Sequence, residues 1–125
     1  MNSYSDVKLT IGFIDSDLEP EGRDRQAQRL FAELREIDEV TSVKRVSDAN
    51  PPEGNKSLGG FLVGLLVAEV NVSNAKKLIA FLGDRLRGKA IELHVEANGK
   101  KLEVKAYSRE ELEAAIEAAQ DFVST

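Results

Sequence analysis

The chain has 125 residues, the size of a single domain, and this length can bury roughly two-thirds of the unfolded surface without disulfides or metals. It contains no cysteine, which excludes disulfides and thiolate metal sites. The formal net charge of -5 at pH 7 argues against a polybasic membrane anchor and against nucleic-acid binding by the whole domain. The amino terminus has neither the basic nor the apolar region of a secretory signal, so we expect a cytoplasmic protein.

The first two elements are predicted to be a half-buried strand and an amphipathic helix. Apolar residues of the strand alternate with polar or small ones: Val7, Leu9, Ile11 and Phe13. After a polar break, Pro20 suits the first turn of a helix, because the N–H that proline lacks would be unpaired there. Apolar residues then recur at spacings of three and four: Ala27, Leu30, Phe31, Leu34 and Ile37.

A second, weaker strand is predicted over residues 40–46, where three valines recur: Val40, Val43 and Val46. Lys44 and Arg45 within it are typical of a sheet edge. Together with the first strand and helix, this strand makes a βαβ unit.

Residues 47–57 are predicted to be a mobile loop, because they combine Pro51 and Pro52 with Gly54 and contain no apolar cluster. The loop is too short to separate two domains. We therefore expect a single domain over residues 1–125, with flexible ends at 1–6 and 124–125.

The longest apolar run of the sequence spans residues 58–70. Read at helical spacing, five of its residues fall on one face: Leu58, Phe61, Leu62, Leu65 and Leu66. Gly60 and Gly64 lie on another face, where a neighbouring backbone can approach closely. We therefore predict a central helix here, followed by a break and a second helix with Ser73 as its N-cap.

The second helix completes a predicted helical hairpin and ends at Gly88. Four apolar residues form its buried side: Leu78, Ile79, Leu82 and Leu86. Gly83 lies inside this helix, where glycine costs up to about 1 kcal/mol relative to alanine. We expect that Gly83 packs closely against the face formed by Gly60 and Gly64.

An Asn-Gly turn at Asn98 and Gly99 predicts a β-hairpin between residues 90–97 and 100–107. The two-residue loop fixes the register, and the inner face then carries apolar pairs: Val95 with Leu102, Leu93 with Val104 and Ile91 with Ala106. The outer face carries polar pairs: Glu96 with Lys101, His94 with Glu103 and Glu92 with Lys105. Both faces agree with one register, which is strong support for the hairpin.

The last element is predicted to be a helix that begins with a capping box at Ser108 and Glu111. Its buried stripe is Leu112, Ala115, Ile116, Ala119, Phe122 and Val123. The predicted fold class is α+β in the order β-α-β-α-α-β-β-α. Its four-stranded sheet is covered by helices, which include the central helical hairpin.

His94 is the only histidine, and the predicted register places it between Glu92 and Glu96 on a strand face. An imidazole and two carboxylates can bind a metal, and a histidine can act as a general base. However, Lys101 and Lys105 already pair with these carboxylates, which favours a solvated strand face whose charges set the register.

The sequence also contains only part of the pattern of a calcium-binding loop, beginning at Asp15. Asp15, Asp17 and Glu19 match its first half, but Pro20 replaces the required glycine and Gln26 replaces the final glutamate. The glycines near residue 60 are not followed by the lysine and hydroxyl residue of a phosphate-binding loop. We therefore expect no enzyme activity, no metal and no cofactor.

Several short motifs resemble the effector-associated constant component family of bacteria over about residues 7–119. They are Leu30-Phe-Ala-Glu-Leu-Arg35, Pro-Pro-Glu-Gly54, Gly59-Gly60, Asn74-Ala75, Leu78-Ile-Ala-Phe-Leu82 and Asn98-Gly-Lys-Lys-Leu102. In that family a proline-rich loop precedes a glycine-containing apolar helix, and a second helix and a hairpin follow. This chain departs from the pattern at Phe81-Leu82-Gly83, where a tryptophan is usual, and at the break 71–74.

The resemblance implies a non-enzymatic adaptor or regulatory component of a bacterial conflict (immunity) system, coupled to a protease-like effector. We expect a protein partner, either a caspase-like or trypsin-like effector or a second copy in a homo-oligomer, with neither nucleic-acid binding nor integral membrane insertion. The predicted interaction surface is Pro51, Pro52, Leu58, Phe61, Leu62 and Leu65. The alternative is a small-molecule or nucleotide-sensing module with a cleft between sheet and helices.

Overall fold

A computed structural model describes the backbone of residues 6–47, 57–58 and 61–124, and the side chains of residues 6–46 and 62–124. Most of the predicted loop at 47–57 and of the predicted flexible ends lies outside these ranges. The elements are β1 (Asp6–Phe13), α1 (Pro20–Arg35), β2 (Val40–Ser47), β3 (Ser57–Leu58), β4 (Phe61–Asn71), α2 (Val72–Arg85), β5 (Ile91–Ala97), β6 (Lys100–Ala106) and α3 (Arg109–Ser124).

The strands form one antiparallel sheet in the order β2-β4-β1-β5-β6, and the two-residue β3 pairs with the start of β4. β1 and β2 run parallel to each other with β4 inserted between them, and β4 and β5 run parallel with β1 between them. This is the split βαβ, or ferredoxin-like, connectivity, extended here by β6 and α3. The predicted α+β class is confirmed, whereas the predicted four-stranded sheet is too small.

The predicted central helix is wrong, because its segment forms β3 and β4. β4 pairs with β1 on one side and with β2 on the other, so it lies inside the sheet. Leu66, Ala68 and Val70 are fully buried against the helices, whereas Leu65 and Val67 point to the opposite face. A strand that is apolar on both faces shows no period of two, and such a run resembles a buried helix. A strand followed by α2 therefore replaces the predicted helical hairpin.

β5 and β6 confirm the predicted hairpin in its predicted register. Asn98 and Gly99 have positive φ values of 56° and 77°, as a type I′ turn requires. A slip of one residue would move every apolar side chain of the hairpin to the outer face. Local turn chemistry and the apolar pattern therefore specify the same pairing.

The three helices cover one face of the sheet. α1 packs on β4 and β2, α2 packs against α3, and α3 packs on β6. Fully buried side chains from both layers form one core: Leu9, Ile11, Leu34, Leu66, Ile79, Leu82, Ile91 and Leu93. Within the described ranges, no helix has the length and apolar character that crossing a bilayer requires.

α2 begins at Val72 rather than after the predicted N-cap Ser73, and Asn71 is the N-cap residue. The four residues predicted for its inner side are buried as expected. Gly83 does allow a close approach, but the neighbour is α3 rather than the predicted glycine face. A Cβ atom at this position would lie 3.1 Å from Cγ1 of Ile116.

The predicted cap of α3 is present with one difference. The Glu111 N–H donates to Oγ of Ser108 at 3.2 Å, as in a capping box. The Glu111 side chain, however, accepts its hydrogen bond from the Tyr107 N–H at 2.7 Å rather than from the N-cap N–H. The contact therefore holds Tyr107, the residue before the N-cap Ser108, as well as the first turn of the helix.

β4 bulges at Gly64, where φ is +72° and the register of β2 against β4 shifts between Arg45 and Ser47. A Cβ atom at Gly64 would lie 3.0 Å from the carbonyl oxygen of Phe13 and 3.5 Å from Cβ of Arg23. Both the backbone conformation and the available space therefore require glycine.

We expect Gly64→Ala to destabilise the fold more than Gly88→Ala. Gly88 also has a positive φ, 75°, but no atom lies within 4 Å of an added Cβ. Its replacement should cost about 1 kcal/mol of unfolding free energy from conformation alone. At Gly64 the added methyl group also meets the Phe13 carbonyl, which raises the expected loss to about 3 kcal/mol. Urea unfolding followed by circular dichroism measures both variants, and equal losses would contradict the prediction.

Candidate functional site

The face of the sheet opposite the helices, called the outer face below, carries side chains in three rows that cross the strands. The first row is Ser42, Glu69, Lys8, Glu96 and Lys101; the second is Lys44, Val67, Thr10, His94 and Glu103; the third is Leu65, Gly12, Glu92 and Lys105. The lysine and glutamate side chains of β6 in these rows are exposed, and those of β5 are partly exposed.

The first row alternates in charge across four strands. Lys8 on β1 lies between Glu69 on β4 and Glu96 on β5, and Lys101 on β6 follows. Nζ of Lys101 lies 3.6 Å from Oε2 of Glu96. Exposed pairs of this kind each contribute less than about 1 kcal/mol, so they specify strand register more than they stabilise the fold.

His94 lies where the sequence predicts, in the second row and among acidic residues. Its Nε2 is 2.9 Å from Oε2 of Glu92, and its Nδ1 is 3.9 Å from Oε2 of Glu103. In the part of the chain that the structure describes, no group of three or more His, Cys, Asp or Glu side chains has a metal-binding arrangement. The contacts of His94 are those of a charged strand face.

Two apolar residues of β4, Leu65 and Val67, form an apolar strip on this face. Val67 is opposite Lys44 on β2 and Thr10 on β1, and it retains 7% exposure. Leu65 is half-buried and reaches over Gly12, where an added Cβ would lie 3.3 Å from its Cδ1. Gly12 has no side chain, and this leaves room for Leu65 to lie across β1.

The predicted interaction surface is not assembled as one helix face. The two prolines lie outside the described residues. Leu58 and Phe61 pair with each other between β3 and β4, and only their backbone is described. Leu62 and Leu65 are half-buried, and Leu65 lies on the outer face. Leu65 is therefore the predicted residue that joins the site described here.

β2 is an edge strand, as Lys44 and Arg45 predict, and the main feature that sequence reasoning missed is the burial of the Arg45 side chain. This side chain is 4% exposed and forms an ion pair with Asp24 of α1. Its Nε donates to the Leu65 carbonyl at 3.0 Å and its Nη1 donates to Oε1 of Gln28 at 3.1 Å. Asp24 also accepts the Gly64 N–H at 3.1 Å. These contacts hold α1 against the bulge that presents the apolar strip.

One signal in the sequence could have located this arginine. Val43 and Arg45 are two residues apart, and residues at that spacing share a face of a strand. The three valines of this strand recur at every third position, at Val40, Val43 and Val46, and this spacing hides the two-residue alternation. Because Val43 packs against the core, Arg45 must also point towards α1.

Replacing the buried arginine by Arg45→Met should destabilise the protein by about 3 kcal/mol, because a partly buried Asp24 carboxylate loses its cation. The neighbouring substitution Lys44→Met is the matched control, since Lys44 is exposed on the outer face. It should change the unfolding free energy by no more than about 0.5 kcal/mol. Chemical denaturation measures both, and a loss for Arg45→Met within the range of the control would contradict a stabilising role for the ion pair.

Two grooves of about 610 Å³ each lie on the surface. One lies at the turn end of the outer face and is lined by four residues of the first row together with Asn98: Lys8, Glu69, Glu96 and Lys101. The other lies between α2 and α3 and is lined by Gly83 and Ile116 together with Arg87 and other charged residues. A smaller groove of about 400 Å³ does lie between the sheet and a helix, at β6 and α3, so the alternative of a sensing module with a sheet–helix cleft stays a prediction.

The resemblance to the effector-associated constant component family rests on short motifs. A scan against protein-family models gives no match, and searches for similar curated proteins and for similar solved structures give none either. The apolar run that belongs to a helix in the family pattern forms β4 in this chain. The family assignment therefore stays a prediction.

Proposed function

We propose that this chain is a non-enzymatic, cytoplasmic adaptor that binds a partner protein through the outer face of its sheet. The observation that carries the proposal is the half-buried Leu65, which lies beside the buried Val67 on a sheet face that none of the described helices covers. Charged and polar side chains of the neighbouring strands surround this apolar strip. An apolar centre with a polar surround is the usual composition of a protein interface.

The charges on the outer face favour a protein partner over a nucleic acid. Lysines and glutamates are equally represented in the three rows: Lys8, Lys44, Lys101 and Lys105 against Glu69, Glu92, Glu96 and Glu103. Because opposite charges are neighbours, their fields largely cancel, whereas a phosphate backbone is bound by accumulated positive charge. A surface on which lysines and glutamates alternate instead favours a partner whose own charges are complementary.

The partner that we propose is a caspase-like or trypsin-like effector of a bacterial conflict system. This choice is supported by the motif resemblance, and the adaptor would then couple the effector to sensing or regulation. The apolar strip is short, so most of the contact area would come from polar side chains. Interfaces of that composition are typical of transient, regulated complexes.

Leu65→Lys should weaken binding to such an effector at least about tenfold, because a lysine then replaces an apolar contact at the centre of the interface. Biolayer interferometry can measure the affinity of the purified chain for each protease-like protein encoded beside its gene. Val72→Lys is the matched control, since Val72 is an apolar residue with 38% exposure at the start of α2. The control should leave the affinity unchanged.

Urea unfolding must first show that both variants have the same midpoint concentration as the wild-type chain. An unchanged affinity of folded Leu65→Lys would then contradict the outer face as the binding surface. A gene neighbourhood without any protease-like protein would instead contradict the choice of partner.

A further inference from the structure

β6 is the last strand on one side of the sheet, and within the described residues it pairs with β5 alone. In the type I′ turn the Ala97 carbonyl accepts the Lys100 N–H, so this pair is hydrogen-bonded. Hydrogen-bonded and non-hydrogen-bonded pairs alternate along an antiparallel ladder. The backbone groups of Lys101, Glu103 and Lys105 therefore point away from β5, towards the free edge.

The two edges of the sheet differ in regularity. Edge strand β2 has register shifts after Val40 and after Arg45, which disturb its free side. β6 pairs with β5 over seven consecutive residues without a shift, so its free edge is straight. A straight edge strand is a template for pairing with another strand.

Charge decides which antiparallel pairing of β6 with a second copy of itself is favourable. If Glu103 lies on the two-fold axis, it faces Glu103 of the other copy, and Lys101 of each copy faces Lys105 of the other. Like charges are then directly opposite each other. If Val104 lies on the axis, Glu103 of each copy faces Lys105 of the other. Opposite charges directly across an antiparallel pair are stabilising, and like charges are destabilising.

The inner face, towards the helices, supports the same choice. With Val104 on the axis, Val104 meets its own copy and Leu102 faces Ala106, so these pairs are apolar. The remaining charge-matched register, with Leu102 on the axis, would place Lys100 against Val104. Leu102 and Val104 are both half-buried in a single copy and have apolar surface left to cover.

A groove beside β6 provides further apolar surface at this edge. It has a volume of about 400 Å³ and runs between β6 and α3, lined by Val104, Tyr107 and Ala114 among others. Tyr107, which directly follows β6, is 64% exposed. Tyrosine is enriched in the buried centres of protein interfaces.

From these observations we infer that two copies of this chain associate along β6, antiparallel and about a two-fold axis at Val104, so that the two sheets become one. This inference does not depend on the proposed effector binding, which uses the outer face rather than the edge. Four backbone hydrogen bonds would form at the two Glu103–Lys105 pairs, since both residues direct their backbone groups outward.

Val104→Cys tests both the association and its register, since the chain has no other cysteine. Val104 and its copy form a non-hydrogen-bonded pair, whose Cα atoms lie about 4.5 Å apart. This distance is within the range of disulfides, roughly 4.4–6.8 Å. Under mild oxidation the variant should form a covalent dimer that a reducing agent separates, as seen on a non-reducing gel.

Leu102→Cys is the matched control, because Leu102 is equally half-buried on the same face of β6 but lies opposite Ala106 in the inferred register. It should cross-link at least about tenfold more slowly, because the two copies of residue 102 are then four residues out of opposition, roughly 13 Å apart along the strands and beyond the reach of a disulfide. Faster cross-linking of Leu102→Cys than of Val104→Cys would overturn the register. Equal, slow cross-linking of both would overturn the association.

A charge exchange tests the same dimer without any cysteine. Glu103→Lys places two lysines opposite Lys105 residues and should weaken the dimer about tenfold. Adding Lys105→Glu restores opposite charges and should recover most of the affinity. Sedimentation equilibrium measures the dissociation constants. A wild-type chain that is monomeric up to about 1 mM, or a double variant no tighter than the single one, would overturn the inference.

Discussion

A buried guanidinium links the helix layer to the least regular part of the sheet. Arg45 points inward from edge strand β2, where its charge has almost no contact with water. A buried charge is tolerated only when it is paired and hydrogen-bonded, so Asp24 and Gln28 of α1 must lie against it. Asp24 in turn accepts the Gly64 N–H, and the Leu65 carbonyl accepts from the arginine. The position of α1, the bulge and the course of β4 are therefore linked through one side chain.

This linkage explains how one apolar segment can serve two layers. Beyond the bulge, Leu66, Ala68 and Val70 are fully buried under the helices. Leu65 and Val67 point the other way and give the outer face its apolar centre. If two copies join along β6 as inferred, the outer faces of both would lie on one continuous sheet. A dimeric effector would then meet two binding surfaces at once, which raises its apparent affinity without new contacts.

Features fixed by local chemistry were predictable from the sequence. The β5–β6 register follows from the Asn-Gly turn and from strict alternation on both strands, and the start of α1 follows from Pro20. β4 was mistaken for a helix because a central strand is apolar on both faces, and its periodicity alone does not separate it from a buried helix. The glycines at 59, 60 and 64 were a local signal in favour of a strand. The knowledge that β1 and β2 lie on either side of this segment identifies it as a strand.

The candidate site was predictable to a smaller extent for the same reason. Leu65 was selected for its apolar character, but its neighbours on the outer face come from β1 and β2, far away in the sequence. The burial of Arg45 depends equally on a long-range partner, Asp24 in α1. Positions of this kind are determined by strand order, and the strand order of this sheet is not encoded in any local motif.

The central place of β1 has a consequence for the order of folding. β1 precedes the other described strands in the chain, yet its two neighbours, β4 and β5, come much later. The β5–β6 hairpin and α3 form from adjacent residues, so their contacts cost little loop-closure entropy. We therefore expect residues 91–124 to organise early and β1 to enter the sheet late. Until it does, β4 and β5 each present an unpaired edge, which is the state in which this chain is most prone to aggregate.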